Sequence, residues 1–195
     1  MNNIYLVGFM ASGKTTVGRE LAKREKRHFL DLDDLIELKQ GRRIADIFST
    51  EGEAYFRKIE KLALKEAAAE EHFVFACGGG IIMDPDNLKL MQQSGKVICL
   101  SASVQTILKR TAATSHRPLL NVAEPKKQIE LLLKLRAPYY AQADAVVKTD
   151  NLSVKEVVEK IRKIVSTRHK ASATNRGGSA KTYGGAKPQA KKKKR

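Results

Sequence analysis

The sequence predicts an α/β protein, a three-layer αβα sandwich with a five-stranded parallel sheet. Short apolar runs alternate along the chain with stretches of helical periodicity, the order of elements that parallel strands and crossover helices require. The runs are also nearly continuous in apolar residues, as expected of strands buried on both faces. The predicted strands are IYLVG (4–8), HFLDL (28–32), FVFAC (73–77), VICLS (97–101) and AVVKT (145–149).

Sequence signals delimit two of the helices between and after these strands. Asp84 precedes Pro85, a pair typical of a helix N-cap followed by proline in the first turn. Ser153 and Glu156 form a capping box for the last helix, whose apolar side chains recur at helical spacing. We expect this helix to close the domain near residue 168.

Two further helices have boundaries with alternatives. Asp34 and Glu37 fit a capping box for the helix after the second strand, and Asp33 is an alternative N-cap. Pro138 indicates that the helix around 125–142 is kinked or ends one residue earlier, because proline removes a helical hydrogen bond.

The chain has 195 residues, enough for one well-buried core, so we expect a single domain over residues 1–168. Residues 169–195 differ from it, because they lack acidic residues and contribute +9 of the formal net charge of +16. Their only apolar side chains are alanines and Tyr183, too few to offset the entropy of ordering the segment. We therefore predict a disordered basic tail.

Two roles are open for this tail. Runs of Lys and Arg bind nucleic acid and other polyanions with little sequence preference. A lysine-rich end can also be a solvated extension without a partner. The composition is compatible with both.

Composition excludes several classes of protein. No apolar run approaches the roughly 18 residues that span a bilayer, and the first apolar stretch lacks the basic flank of a signal peptide. We expect no membrane contact and a cytoplasmic location. Cys77 and Cys99 lie in apolar runs without metal-ligand or redox spacing, which predicts reduced, buried thiols. No exposed apolar stripe is left unassigned, so we expect a monomer.

The segment LVGFMASGKTT, residues 6–16, contains the pattern G-x-x-x-x-G-K-[ST] between a predicted strand and a predicted helix. In such a P-loop, backbone N–H groups and the helix N-terminus face phosphate oxygens. Lys14 would reach the β- and γ-phosphates, and the Thr15 hydroxyl would ligate Mg²⁺. A turn with a chance lysine is the alternative, but the flanking elements favour a nucleoside triphosphate site. Thr16 fits the first helical turn better than a ligand position.

Two carboxylates follow the second predicted strand. Asp31 and Asp33 are two residues apart, so in extended geometry both side chains point to the same side. One carboxylate there can hold Mg²⁺ through water, and the other can orient or deprotonate an acceptor hydroxyl. Phosphoryl transfer leaves these two tasks to acidic residues, which predicts an acceptor site beside the loop.

Other candidate residues are ambiguous when taken singly. The glycines at 78–80 follow the third strand, at the edge where ligands bind in open α/β sheets, although a flexible turn would look the same. Three arginines could each be surface residues, and the first could pair with Glu53 or Glu60 at helical spacing. The three are Arg57, Arg117 and Arg136.

Taken together, these stretches resemble the shikimate kinases. The motifs GFMASGKT, DLD, EGEAYFR, GGG, RPLL and RAPYY stand in the family's order and at similar spacing, from Ile4 to the final helix. The resemblance implies a P-loop fold like that of the nucleoside monophosphate kinases. It also implies transfer of the γ-phosphoryl group of ATP to the 3-hydroxyl of shikimate, in the pathway to chorismate and aromatic amino acids. ATP is then the co-substrate and Mg²⁺ the cofactor.

The resemblance also implies roles for individual residues. Asp33 would bind the shikimate hydroxyls and act as the base, while Asp31 would hold Mg²⁺ together with Thr15. Arg57 and Arg136 would clamp the shikimate carboxylate, a group that the planar fork of arginine recognises in bidentate fashion. Arg117 would lie on a mobile lid, roughly residues 112–124, and Arg110 would flank the adenine.

The predicted site residues fall into four overlapping sets. The nucleotide-binding residues are Gly8, Met10, Ala11, Ser12, Gly13, Lys14, Thr15, Thr16, Arg110 and Arg117. The substrate-binding residues are Asp33, Arg57, Gly78, Gly79, Gly80 and Arg136. The catalytic residues are Lys14, Asp33 and Arg117, and the metal ligands are Thr15 and Asp31.

The sequence departs from the family pattern in two places. Glycine is frequent in the family where this loop has Ala11, although alanine is small enough for nucleotide binding to survive. The basic tail lies outside the pattern altogether. A gluconate kinase, whose acceptor is also a hydroxylated acid, and a non-catalytic binding module are the alternative functions. The complete set of motif residues argues against both.

Overall fold

Five strands form one parallel sheet in the order β2, β3, β1, β4, β5. In the computed structural model the described residues are 3–112 and 124–173, excluding the side chains of 112 and 167–173. Each strand ends within one residue of its predicted end, and the predicted fold class is confirmed. The strands are β1 (Asn3–Val7), β2 (His28–Asp31), β3 (Phe73–Ala76), β4 (Gly95–Ser101) and β5 (Ala145–Lys148).

Helices cover both faces of the sheet, because side chains of each strand alternate between two apolar layers. Ile4 and Leu6 of β1 pack with apolar residues of the first and last helices, and Tyr5 and Val7 pack against the other helices. The helices are α1 (Lys14–Glu25), α2 (Leu32–Gln40), α3 (Ile44–Ala67), α4 (Pro85–Ser94), α5 (Val104–Ala112), α6 (Pro125–Tyr140) and α7 (Val154–Ala173). None of the described helices combines the length and apolar character needed to cross a membrane.

Two predicted helix caps are confirmed. The Asp84 carboxylate accepts a hydrogen bond from the backbone N–H of Asp86, 2.8 Å away, and Pro85 is the first residue of α4. At α7, the N–H of Ser153 donates to Glu156 Oε2 over 2.8 Å, and the N–H of Glu156 donates to Ser153 Oγ over 3.3 Å.

The predicted capping box at Asp34 is wrong. Helix α2 begins at Leu32 and its N-cap is Asp31, whose Oδ1 accepts the N–H of Asp33 over 3.1 Å. Asp33, the alternative N-cap, therefore also lies inside the helix. The reason is that β2 ends at Asp31 and the chain turns at once into the helix. The Glu37 carboxylate instead accepts the N–H of Ile44 over 2.8 Å, at the start of α3.

Two helices continue past a residue at which the sequence allowed them to end. Helix α6 continues through Pro138 to Tyr140, because a proline in the last turn forfeits one hydrogen bond without stopping the helix. Helix α7 runs to Ala173, beyond the predicted end near residue 168, since no glycine or proline intervenes and alanine favours helix. The rest of the predicted tail, residues 174–195, lies outside the described residues, as do residues 113–123 of the predicted lid.

Candidate active site

The loop between β1 and α1 has the backbone of a phosphate-binding turn. Gly8, Ala11 and Gly13 have φ angles of 133°, 58° and 98°, so the chain reverses repeatedly before α1 begins at Lys14. A Cβ at Gly8 would collide with the carbonyl of Leu100 on β4, which explains the glycine there. Of these three residues, Ala11 has the least favourable backbone conformation, because an L-residue in the left-handed region is destabilised by roughly 1–2 kcal/mol.

Lys14 and Thr15 carry the polar groups of this loop. Lys14 Nζ donates to the carbonyls of Gly8 and Phe9, at 3.0 and 3.1 Å, so the ammonium lies against the loop backbone. Thr15 Oγ1 donates to Asp31 Oδ2 over 2.7 Å. The hydroxyl and the carboxylate that the sequence assigned to one metal ion are therefore in contact.

The two aspartates after β2 converge by a different geometry from the one predicted. Asp31 ends the strand, whereas Asp33 lies in the first turn of α2, so the argument from strand alternation is wrong. Both side chains nevertheless line the same cleft. Burial, reinforced by the negative charge of Asp31, raises the pKa of Asp33 to about 6, and Lys14 opposes this shift. The pKa of Asp33 is thus closer than that of an exposed aspartate to the value that suits a general base near neutral pH.

Arg57, on α3, is held by two carboxylates of its own helix. Its Nη1 donates to Glu60 Oε2 over 2.6 Å, and its Nη2 donates to Glu53 Oε1 over 2.9 Å. Gly52, with φ of 80°, interrupts the helix one turn earlier. The pairing that the sequence suggested as a purely structural alternative is therefore present.

Glu60 is the buried member of this group, with a side chain only 1% exposed. Burial raises the pKa of Glu60 to about 6, while Arg57 lowers it. Its Oε1 has no hydrogen-bond partner among the described residues. Burying a carboxylate is costly unless a partner compensates its charge. Here the Arg57 guanidinium is that partner, and Glu60 in turn orients it.

The three glycines after β3 lie against these charged groups. A Cβ at Gly78 would be 2.5 Å from Glu60 Oε1 and 3.2 Å from Asp33 Oδ1. A Cβ at Gly80 would be 2.5 Å from Arg57 Nη2, although the φ of Gly80, −99°, is open to any residue. Close approach of side chains therefore favours glycine at Gly78 and Gly80, which a merely flexible turn would not explain.

Arg136, on α6, approaches the same turn from the other side. Its Nη1 would lie 3.4 Å from a Cβ at Gly79, and its guanidinium carbon lies 5.6 Å from the centre of the Phe9 ring. Tyr140 Oη donates to the Gly79 carbonyl over 2.8 Å, and burial raises the pKa of Tyr140 to about 12. Arg57 and Arg136 thus lie beside consecutive glycines of one turn.

A cleft of about 320 Å³ opens over the loop. Its lining joins the phosphate loop, the two aspartates, the end of β3 and Arg110 of α5. Arg57 and Arg136 lie outside this lining, and Asp33 connects the two groups because it is close to Gly78. The lining residues are Ala11, Gly13, Lys14, Thr15, Thr16, Asp31, Asp33, Ala76, Cys77 and Arg110.

Comparison with known proteins assigns the chain to a protein family. The family model described as "Shikimate kinase" matches residues 10–166. The chain belongs to the shikimate kinase family. It is 41% identical over 163 residues to the shikimate kinase of Thermoanaerobacter pseudethanolicus, an alignment that covers 84% of this chain and 95% of that protein. It is 45% identical over 159 residues to the shikimate kinase of Thermus thermophilus, covering 81% of this chain and 86% of that protein.

A solved structure agrees with these sequence matches. The shikimate kinase from Acinetobacter baumannii in complex with shikimate has a TM-score of 0.82 and 40% identity, covering 86% of this chain and 94% of that one. The predicted family and enzyme class are therefore confirmed, and the chain is an ATP-dependent kinase of the shikimate kinase family.

Within this family assignment, most predicted site residues lie together in the structure. Arg110 and both aspartates line one cleft together with five predicted loop residues, which are Ala11, Gly13, Lys14, Thr15 and Thr16. Gly8, Met10 and Ser12 are not part of that lining. Arg57, Arg136 and the three glycines form the adjoining group. Ser12 is buried, with no partner for its hydroxyl among the described residues, and Met10 packs on the core. Arg117 lies outside the described residues, so its role stays a prediction.

Besides Ala76 and Cys77 of the cleft lining, three further contributors are not among the predicted site residues. The sequence suggests Glu60 only as a surface partner of Arg57, but the structure buries it. Its spacing of three residues from Arg57 is the one sequence signal that points to this pair. The Phe9 ring contacts the Arg136 guanidinium, and Tyr140 donates to the Gly79 carbonyl. Both contacts depend on how α6 packs, so the sequence gives no local signal for them. Cys77 and Cys99 are buried, as predicted, and burial raises the pKa of Cys99 to about 11.

Proposed function

We propose that this chain transfers the γ-phosphoryl group of ATP to the 3-hydroxyl of shikimate, giving shikimate 3-phosphate and ADP, by the residues placed around Asp33. The observation that carries this proposal is the position of Asp33. Its carboxylate lines the nucleotide cleft and also lies next to Gly78 of the turn that contacts both arginines. One carboxylate is thus placed between a phosphate site and a site suited to a small acid.

On the nucleotide side, the loop binds the triphosphate through its backbone. N–H groups at the start of α1 and the positive end of that helix face the phosphates. The Lys14 ammonium exchanges its contacts with loop carbonyls for the β- and γ-phosphate oxygens. Its charge stabilises the transferring group, which is where phosphoryl transfer needs positive charge.

The residues present fit a magnesium ion. Thr15 Oγ1 and Asp31 Oδ2 are hard oxygen donors in contact with one another, at the edge of the cleft. Mg²⁺ takes one or two protein oxygens and completes its shell with water and phosphate, so a larger ligand cluster is not required. When bound, the ion neutralises charge on the β- and γ-phosphate oxygens. We propose Thr15 and Asp31 as the residues that hold it.

On the acceptor side, two arginines recognise a carboxylate. Arg57 is oriented by Glu53 and Glu60, and Arg136 by the Phe9 ring, so both guanidinium groups are held before substrate arrives. Preorganised forks of this kind bind a carboxylate without the entropy cost of ordering long side chains. Backbone groups of Gly79 and Gly80 complete the contact with shikimate.

The reaction then needs one proton transfer. Asp33 accepts a hydrogen bond from the 3-hydroxyl and takes its proton as the hydroxyl oxygen bonds to the γ-phosphorus and the bond to the ADP oxygen breaks. Its raised pKa suits this task better than that of an exposed aspartate. Arg117 and the lid at 112–124 would close over the phosphates and exclude water that would otherwise accept the phosphoryl group.

Release of ADP by the purified chain with Mg-ATP tests the acceptor. We expect rapid release with shikimate and only background release with gluconate or without acceptor. Release stimulated by gluconate would assign the site to a different hydroxylated acid. A chain that binds ATP but responds to no acceptor would overturn the assignment of a catalytic role.

We further propose that the catalytic unit is a cytoplasmic monomer and that its basic tail associates with polyanions. The tail's contribution of +9 to the net charge supports the association with polyanions. Binding of random-sequence RNA should weaken steeply with salt and should be lost when residues 174–195 are deleted. Equal binding by the shortened chain would overturn the role of the tail, and sedimentation analysis tests the monomer.

A further inference from the structure

Arg110, near the end of α5, connects two parts of the fold through one guanidinium group. Its Nη1 donates to the carbonyl of Ala11 over 3.0 Å and to Thr149 Oγ1 over 3.3 Å. Its Nη2 donates to the carbonyl of Thr149, also over 3.3 Å. Thr149 is 2% exposed and directly follows β5. The side chain is thus anchored on buried structure and reaches the phosphate loop from there.

The loop residue that Arg110 contacts, Ala11, is the non-glycine residue of the loop with a positive φ angle. Ala11 has a φ of 58°, a conformation that glycine adopts readily and alanine does not. The peptide that links Ala11 to Ser12 is held at both ends. Its carbonyl accepts from Arg110, and its N–H donates to the Phe9 carbonyl over 3.2 Å. Because an L-residue is destabilised in this conformation, the contact with Arg110 opposes a change of the loop backbone.

We propose that Arg110 is a positioning residue for the phosphate loop, holding Ala11 in the left-handed conformation that the triphosphate site requires. This role is independent of the base of the nucleotide and of the acceptor, so it is separate from the expected contact of Arg110 with adenine. It is specific to a chain with a side chain at position 11. Glycine there would make the loop largely independent of Arg110.

Binding of inorganic tripolyphosphate in the presence of Mg²⁺ tests the proposal, because this probe has no base. Calorimetric titration should show about tenfold weaker binding for Arg110→Ala, the lower end of the range for a charge-assisted hydrogen bond. The matched control is Lys109→Ala, which removes one positive charge from an exposed neighbour on the same helix. It should bind the probe within about twofold of the unmodified chain.

A double-mutant cycle with Ala11→Gly separates positioning from direct attraction. In the glycine background, Arg110→Ala should weaken tripolyphosphate binding by no more than about twofold, because the two changes are coupled. The same tenfold loss in both backgrounds would overturn the proposal, since it would mean that Arg110 acts on the phosphates by charge alone. Weaker ADP binding with unchanged tripolyphosphate binding would also overturn it, by restricting Arg110 to the adenine.

A second variant keeps the test valid if Arg110→Ala does not fold. Thr149→Val removes the hydroxyl that fixes the guanidinium, and Thr149 does not line the cleft. It should weaken tripolyphosphate binding by about threefold with alanine at position 11 and leave it unchanged with glycine there. Unchanged binding in the alanine background would overturn the proposal.

Discussion

The two halves of the site are built in different ways. The nucleotide half is centred on one continuous segment, in which backbone geometry around Gly8 and Gly13 forms the phosphate-binding surface, with Asp31 and Arg110 added from other elements. The acceptor half is assembled from α2, α3, α6 and the turn after β3, and it depends on charged side chains packed against glycines. A segment with few outside contacts is less sensitive to changes elsewhere in the chain than a site to which every element contributes a side chain. The two halves should therefore respond differently to mutation.

Asp33→Asn should have the largest effect and should separate the halves most clearly. The change removes the base but no contact to phosphate, so turnover should fall by at least about a hundredfold while ADP affinity is retained. Steady-state kinetics and calorimetry measure the two quantities. Asp34→Asn, on the exposed side of the same helical turn, is the matched control and should behave like the unmodified chain. Near-normal turnover for Asp33→Asn would remove Asp33 from the mechanism.

Arg57→Lys should impair the acceptor half alone. Lysine cannot present the planar fork, so KM for shikimate should rise by about tenfold to a hundredfold, the range for a lost charge-assisted hydrogen bond. KM for ATP should stay within about twofold. Arg43→Lys, at the exposed start of α3, is the control. Equal rises in both KM values would show that the acceptor half and the nucleotide half are not independent.

Glu60→Gln should change how stability depends on pH. In the folded chain the pKa of Glu60 is about 6 against an ordinary value of 4.5, so the folded state keeps a proton there that the unfolded state has released. Unfolding free energy therefore declines as pH rises between these values, by about 2 kcal/mol from this residue. Asp33 contributes a decline of the same sign.

Urea unfolding of Glu60→Gln at pH 4.5 and at pH 7 measures this contribution. The variant should show a decline that is smaller by about 2 kcal/mol, because the glutamine amide does not titrate. Glu53→Gln, on an exposed partner of Arg57, should leave the pH dependence nearly unchanged. A decline as large as that of the unmodified chain would mean that the Glu60 carboxylate is ionised in the folded state at both pH values.

Gly80→Ala should have a smaller effect on the same half. The added Cβ would meet the end of the Arg57 side chain, a flexible group that can move aside without backbone strain. We expect KM for shikimate to rise about fivefold, as for one weakened hydrogen bond, with little loss of melting temperature. A loss of stability without a change in KM would show that the glycine serves folding rather than the orientation of Arg57.

Deleting residues 174–195 should have the smallest effect, because the deletion leaves α7 complete and touches neither half. Melting temperature and turnover should match those of the full chain within error. A marked fall in melting temperature would show that the tail packs on the domain, contrary to what its composition predicts.

Much of this protein was determined by short-range signals in the sequence. Apolar runs marked all five strands, glycine spacing marked the phosphate loop, and the caps at Asp84 and Ser153 marked helix starts. Each of these features depends on residues within one turn or one strand of each other, so the local sequence contains the information needed. The family motifs then assigned roles to residues that no local rule would have joined.

Other features were decided only by tertiary packing. The burial of Glu60 beside Arg57 depends on the elements that pack against α3, and the contacts of Arg57 with Gly80 and of Arg110 with Ala11 join separate elements of the chain. Asp31 caps α2 because β2 ends one residue earlier than predicted, at the last residue that pairs with β3 in the sheet. Burial and close approach are properties of the packed chain, and a carboxylate or glycine has no local signal that distinguishes an exposed position from a buried one.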